Sequence, residues 1–333
     1  MPTIHPRRLV GKKIPKPKTA TNKPYHLEDG VTQSMLSDYV ACRQRMRYIL
    51  DGWETPATKE ALMFGDLWHS FLQHTYQRMM RKREWPVFAD LEKVVMQEKM
   101  PGLSGAAAQL MELQLCRAAA LYPIYVQAWR ADDLKRDWVL VEKSFDVPWE
   151  GYLLRGKRDG VFRAKKGSKG LFLLETKTSS AFDEAALEDA LSFNFQNLFY
   201  IHTLEQTLNE PVLGVLYNCI RRPSLRFNPG KGETLSDHYQ RLCSDVAARR
   251  ETYFFRMELN YSDAKKERFR EELRWKLDEF RAWLGEMPES NWHPQTFKNE
   301  QACIGKWRCE FLHACATGTM EGYARTRQLF SEL

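Results

Sequence analysis

The stretch Gly170-Leu171-Phe172-Leu173-Leu174-Glu175-Thr176-Lys177-Thr178-Ser179-Ser180 decides the fold. In a strand, side chains at i and i+2 share a face. Glu175 and Lys177 therefore point one way and Thr176 the other. The run leading in is apolar on both faces, which predicts a central strand over residues 171–178. The apolar run ends at Glu175, so both charges are expected at the rim of the sheet.

Sixteen residues earlier, Asp159 stands in Leu153-Leu154-Arg155-Gly156-Lys157-Arg158-Asp159-Gly160-Val161-Phe162. Residues 139–147 and 152–163 alternate and flank the turn Pro148-Trp149-Glu150-Gly151, which predicts a β-hairpin. Residues 165–169 form a polar turn. Downstream, the pattern predicts a helix at 183–207, a strand at 212–220, helices near 234–250 and 262–285, and a strand at 253–259. Upstream it is helical. Ser34 or Ser37 caps a helix running to about Leu50. Pro56-Ala57-Thr58 opens a second helix to about Arg83, and helices follow at 88–99 and 104–132, the last rich in Ala, Leu, Met and Gln. The fold class is α/β (α+β): a mixed sheet with helical N-terminal and C-terminal parts. The expected organisation is a disordered basic arm over 1–30, a helical region over 31–136, a sheet-bearing core over 137–260 and a helical C-terminal region over 261–333.

The 333 residues are 43% hydrophobic and 28% charged, enough for a globular core. No apolar run approaches the roughly 18 residues of a membrane span. The start is basic with no apolar segment behind it, so no secretory signal is expected. Net charge is +7, and residues 1–27 carry seven Lys/Arg and no acid. The remainder balances at 43 basic against 43 acidic residues, so any nucleic-acid footprint on the globular part is local. Seven cysteines, an odd number, argue against a disulfide framework and for an intracellular, cytoplasmic chain.

An isolated Glu-x-Lys is most often an ion pair on a solvated edge strand. The Leu-Phe-Leu-Leu lead-in and Asp159 on the neighbouring strand argue otherwise. Asp159, Glu175 and the backbone carbonyl of Thr176 are hard oxygen ligands suited to Mg²⁺. Such ions stabilise both oxygens of a phosphodiester displacement. Lys177 would orient the attacking water, help deprotonate it, or stabilise charge on the phosphate.

Gly156-x-x-Asp159-Gly160-Val161 followed by Leu173-Leu174-Glu175-Thr176-Lys177-Thr178 resembles the PD-(D/E)XK nucleases, with their restriction-endonuclease-like core. The nearest likeness is to the RecB-like exonucleases, including CRISPR-associated and phage enzymes. The resemblance implies a Mg²⁺- or Mn²⁺-dependent DNA nuclease of repair, recombination or phage DNA processing, bacterial or phage-encoded. Gly65-Asp66-Leu67-Trp68-His69 is similar to that branch's histidine motif, which implies that His69 is a metal ligand. His74 is read as structural. Gln196-Asn197-Leu198-Phe199-Tyr200 is similar to its Gln-x-x-x-Tyr motif. These two residues lie at i and i+4 of one helix face, and the resemblance implies that they organise the site. Glu142, on the first hairpin strand, is read as an outer neighbour of the acids at most.

The resemblance also implies a 4Fe–4S cluster on Cys42, Cys303, Cys309 and Cys315. The gap between Cys303 and Cys309 is longer than the family's usual two residues, which leaves structural Zn²⁺ as the alternative. Cys116, Cys219 and Cys243 are read as small core residues. Candidate contacts to single- or double-stranded DNA are Arg155, Arg158, Arg221, Arg222 and Arg226. The cations Arg78, Arg81, Lys82 and Arg83 are a further candidate patch. Trp307 and Phe311 would stack on bases or shield the cluster. No helicase motif is present, so a helicase or recombination partner would be a separate chain. Competing readings are a non-catalytic DNA-binding or assembly subunit, an RNA nuclease, and a redox-sensing Fe–S protein.

Overall fold

The computed structural model describes residues 25–55, 60–180, 182–285, 298–305, 308–331 and 333. Most of the expected basic arm, the Pro56-Ala57-Thr58 helix start and Trp307 lie outside the described residues. Of the expected arm, residues 25–30 are described. Leu27–Asp29 form a 3-10 turn, and Tyr25 donates to the Gly30 carbonyl while its ring packs near Phe280 and Phe330.

In chain order, β1 (Val31–Thr32) leads into α1 (Gln33–Ala41), α2 (Arg43–Leu50), α3 (Glu60–Lys82), α4 (Phe88–Lys99) and α5 (Gly105–Asp133). The hairpin β2 (Asp137–Trp149) and β3 (Tyr152–Arg163) follows, then β4 (Leu171–Ser179), α6 (Glu184–Ser192), α7 (Phe195–Leu208) and β5 (Val212–Arg221). The chain continues through α8 (Leu235–Ala248), α9 (Arg250–Tyr253), β6 (Phe254–Leu259), α10 (Asp263–Gly285), α11 (Glu300–Ile304) and α12 (Leu312–Thr317).

Two predicted helices are broken. The first is capped by Thr32, whose hydroxyl accepts from the Met35 N–H at 3.2 Å, rather than by Ser34 or Ser37. It stops at Cys42, where the backbone turns extended (φ −164°, ψ 113°). The predicted helix at 183–207 is interrupted before Asn194, whose side chain accepts from the Asn197 N–H and caps α7. The hairpin turn is Glu150-Gly151, both at positive φ (47° and 83°). That is the combination a two-residue turn needs to match strand twist, and it is why a glycine stands there.

The sheet runs β1-β3-β4-β5-β6, with β2 on the other edge of β3. β4 is central, antiparallel to β3 and parallel to β5. An apolar core lies on each side. Leu171 and Leu173 pack with Phe199 of α7 and Leu277 of α10. Leu174 packs on the opposite face with Phe64 and Trp68 of α3 and Tyr125 of α5. Alternation then carries Glu175 and Lys177 toward α7 and Thr176 toward α5.

The C-terminal segment returns to the N-terminal helices. Glu54 and Ala324 exchange backbone hydrogen bonds at 2.9 and 3.0 Å. Asn299 donates to the Ala41 carbonyl across 258 residues of chain, and Arg325 to that of Asp51 across 274.

Candidate active site

A fork in the sheet creates the site. β3 pairs with β1 at Leu154 and Arg155, and with β4 only at Gly160, Val161 and Phe162. Between these, Gly156 to Asp159 have no ladder partner on that edge. β4 departs along β5, pairing with it as far as Ser179. The expectation that Glu175 and Lys177 sit at the rim is therefore corrected, because the strand continues for four residues beyond Glu175 and buries it. The Asp159 side chain bridges the fork, its Oδ2 accepting from the Thr176 N–H at 2.7 Å.

On the α7 side, Lys177 Nζ lies 2.6 Å from Glu175 Oε1. Gln196 ties both together. Its Oε1 accepts from Lys177 at 2.9 Å, and its Nε2 donates to Glu175 at 2.9 Å. Tyr200, one turn on, meets Phe145 edge-on at 5.9 Å. Gly156 makes this packing possible, since a Cβ there would fall 2.6 Å from Phe145 Cζ and 3.2 Å from Tyr200 Cε1. The Thr176 hydroxyl accepts from buried Asn218 at 3.2 Å on the other face.

From the opposite side, α3 delivers His69. Gly65, one turn earlier, allows the approach, because a Cβ would sit 3.0 Å from Thr178 Oγ1. His69 Nδ1 lies 3.4 Å from Glu142 Oε1 and 3.6 Å from Asp159 Oδ1. Glu142 also pairs with Lys157 at 2.6 Å. Among the described residues, His69, Glu142 and Asp159 are the one group of three potential ligands whose donor atoms all lie within 4.8 Å of one another. Glu142 is thus a member of the cluster, not the outer neighbour read from sequence. Its neighbours Val141 and Lys143 pair with Gly160 and Arg158, so Glu142 sits across from Asp159. Its φ is +46°, a left-handed conformation costly for a residue with a side chain. Glu175 stands outside the group of three and is engaged by Lys177 and Gln196.

The charges are unevenly satisfied. Burial pushes the Asp159 carboxyl up to about 7; His69 and Lys177 oppose this, and the nearby Glu175 and Glu142 add to it. Burial works against protonation of His69, yet Asp159 and Glu142 hold its imidazole up to about 9. Burial also opposes the charge on Lys177, but Glu175 and Asp159 hold its ammonium above the ordinary lysine value. Burial, followed by Glu175, raises the Tyr200 phenol. A cluster of acids repelling one another around an imidazole is one that a divalent cation would relieve. Carboxylate oxygens with a single imidazole suit Mg²⁺ or Mn²⁺.

A family model described as the PD-(D/E)XK nuclease superfamily matches residues 31–316. The chain belongs to the PD-(D/E)XK nuclease superfamily. Its six-stranded mixed sheet flanked by helices is the restriction-endonuclease-like fold of these nucleases. No curated protein matches the chain. A solved structure described as "Crystal structure of SSO0001" is similar at 12% identity, covering 78% of this chain and 88% of the other, with a TM-score of 0.25. A likeness that low carries no argument.

Beyond its central fork, this PD-(D/E)XK chain brings the four predicted cysteines into one neighbourhood. Cys42 is buried at the α1–α2 break, and Cys303, Cys309 and Cys315 gather around it. Burial raises the thiols of Cys303 and Cys315, and the other thiols of the set raise them further. Cys116 and Cys219 are buried, and half-buried Cys243 packs against Cys116.

The predicted DNA-binding arginines fare differently. Arg158 is corrected: it is 2% exposed, donates to Thr203 Oγ1 at 2.9 Å and lies 3.8 Å above the Phe145 ring, so it cannot reach a phosphate. Burial lowers its guanidinium to about 9. Arg155 pairs with Asp146 at 2.7 Å and donates to the Asp29 carbonyl. Arg221 donates to the Phe182 carbonyl, and Arg222 pairs with Glu60 at 2.9 Å. Arg226 is exposed. Arg78 pairs with Glu84, Arg83 with Asp137, and His74 with Glu98. Phe311 is wholly buried between Tyr48 and Tyr323, which removes it as a base-stacking platform. No described helix is long and apolar enough to cross a membrane.

Proposed function

We propose that this chain is a Mg²⁺- or Mn²⁺-dependent deoxyribonuclease of the RecB-like exonuclease branch. The convergence of Asp159, Glu175, Lys177 and His69 at one fork carries the reading. His69, Glu142 and Asp159, whose donor atoms lie together, would hold the cation, with Glu175 and the Thr176 carbonyl as the further ligands that the family resemblance implies. A divalent ion bound there supplies Lewis-acid polarisation of the phosphate and an acidified water. Lys177, kept charged by Glu175 and fixed by Gln196, directs its ammonium at the attacking water or at the phosphate oxygens. Gln196 and Tyr200 hold that lysine and its carboxylate in register.

Cys42, Cys303, Cys309 and Cys315 would hold a 4Fe–4S cluster, which would staple the early helices to the C-terminal segment. A tetrahedral Zn²⁺ site would bring thiolates to roughly 3.8 Å from one another, from Zn–S bonds of about 2.3 Å. The long Cys303–Cys309 gap keeps that site as the alternative to the cluster. The enzyme works inside a bacterial or phage-infected cell in DNA repair, recombination or phage DNA processing.

The test is cleavage of end-labelled single-stranded DNA, double-stranded DNA and RNA by anaerobically purified protein, with and without Mg²⁺ or Mn²⁺. Metal-dependent DNA cutting is expected, and Lys177→Ala should abolish it while the variant stays folded. Cutting retained by that variant would refute the mechanism. A brown preparation that is colourless in Cys309→Ser supports the cluster; a colourless wild type overturns it.

A further inference from the structure

Beside the site, and unused by the chemistry above, lies a groove of about 400 Å³ between the start of α7 and the first half of α10. Phe193 and Phe195 face Lys265, Arg268, Glu272 and Lys276 across it. Phe195 immediately precedes Gln196, the residue that holds both Glu175 and Lys177. The groove and the Gln196 side chain therefore share the first turn of α7.

Two features mark it as a binding surface. Phe193 is 82% exposed. Exposed large apolar groups are informative because they give up burial energy. Trp275 on α10, 72% exposed, lies close to Arg268 in helical phase and extends the aromatic line by two turns. The cations are interleaved with these rings. Lys265 Nζ is 4.7 Å from the Phe193 centroid, and Lys276 Nζ is 4.5 Å from that of Phe195. Among the described residues, Arg268 has no ion-pair partner. The lining carries three cations against one carboxylate, in a chain whose globular part is neutral overall.

Exposed rings alternating with cations match a nucleic-acid strand whose bases are unpaired. Every base offers a face for stacking, while the backbone offers a phosphate per nucleotide. A duplex hides its base faces and has no use for Phe193. We infer that this groove is a single-strand track, with bases stacking on Phe193 and Trp275 and phosphates on Lys265, Arg268 and Lys276. It would lead one strand to the fork. This rests on the nuclease reading for its purpose, but not for its binding.

The test uses the full chain with labelled oligothymidine, a blunt duplex and oligouridine, in Ca²⁺ to separate binding from cleavage. Phe193→Ala and Arg268→Ala are both surface changes, and circular dichroism confirms their fold. Phe193→Ala should weaken oligothymidine binding about tenfold, Phe193→Trp should restore it, and duplex binding should not change. Arg268→Ala should lower the slope of log affinity against log salt by about 0.7. Unchanged affinity and slope, an equal loss on duplex, or no oligothymidine binding by the wild type would overturn the track. Wild-type cutting with unaffected variants sinks the groove alone. Variants that lose the strand beside a wild type that cuts nothing sink the nuclease reading alone.

Discussion

Comparing Glu142→Gly with Glu142→Ala separates the carboxylate of Glu142 from the backbone that presents it. Both changes remove the contacts to His69 and Lys157. They differ in the backbone, which at φ +46° lies where a Cβ costs roughly 1–2 kcal/mol and glycine costs nothing. In an ordinary strand glycine is the worse residue, by roughly 0.5–1 kcal/mol, through its greater entropy loss. The two terms oppose, and the strain is the larger. The glycine variant should therefore be more stable than the alanine variant by about 0.5–1 kcal/mol, the reverse of the usual order. That corresponds to a melting difference of about 1 °C for a chain of this size. Lys157 is one-third exposed and regains water, so losing its partner adds little. Cleavage should fall at least 10- to 100-fold in both variants, the range for losing a carboxylate that orients or joins a metal-binding histidine. Thermal melts in a chelator and Mn²⁺-dependent cleavage rates check the two halves. An alanine variant as stable as the glycine one, with undiminished cutting, would show that the left-handed backbone and the carboxylate have nothing to do with the site.

Gln196→Ala should cost about 10- to 100-fold in cleavage, by freeing Lys177 and Glu175 to reorient, with little change in a urea melt. His202 is 3% exposed against Trp149, and neither ring nitrogen has a hydrogen-bond partner among the described residues. Burial, reinforced by Arg270, lowers it to about 4. The unfolded chain takes up the proton first, so stability present at pH 7 falls as pH drops from about 6.5 to 4. The loss is about 3 kcal/mol, and it should vanish from urea melts of His202→Leu. Asp133, wholly buried, accepts from Arg256 at 2.6 and 2.9 Å. Arg136 and Tyr76 still donate to that carboxylate, so Arg256→Met should destabilise by about 2 kcal/mol, the worth of the charged hydrogen bonds lost. A melt within error of wild type would contradict the pairing.

The β4 strand, its hairpin neighbour and the shared side of Glu175 and Lys177 were legible because a period of two is local. The i, i+4 relation of Gln196 and Tyr200 was legible for the same reason. Glu142 was not, because its place depends on a register shift between Trp138 and Leu140 and on a left-handed residue that no glycine announces. Arg158 misled, since a run of Arg, Lys and Asp reads as solvated. Only the fold shows Phe145 and Thr203 waiting to receive it. The break at Cys42 has no glycine or proline to signal it. The break before α7 does have a signal, the N-cap Asn194, that a continuous helical pattern concealed.

The return of the C-terminal segment to Ala41, Asp51 and Glu54 has a consequence for how the protein is made. A ribosome adding about 5–20 residues per second completes the fork many residues before it makes Asn299. For that interval the fork exists without the segment that bonds to Ala41, Asp51 and Glu54. Chains halted there would present an aggregation-prone surface to quality control while already carrying every residue assigned to cutting.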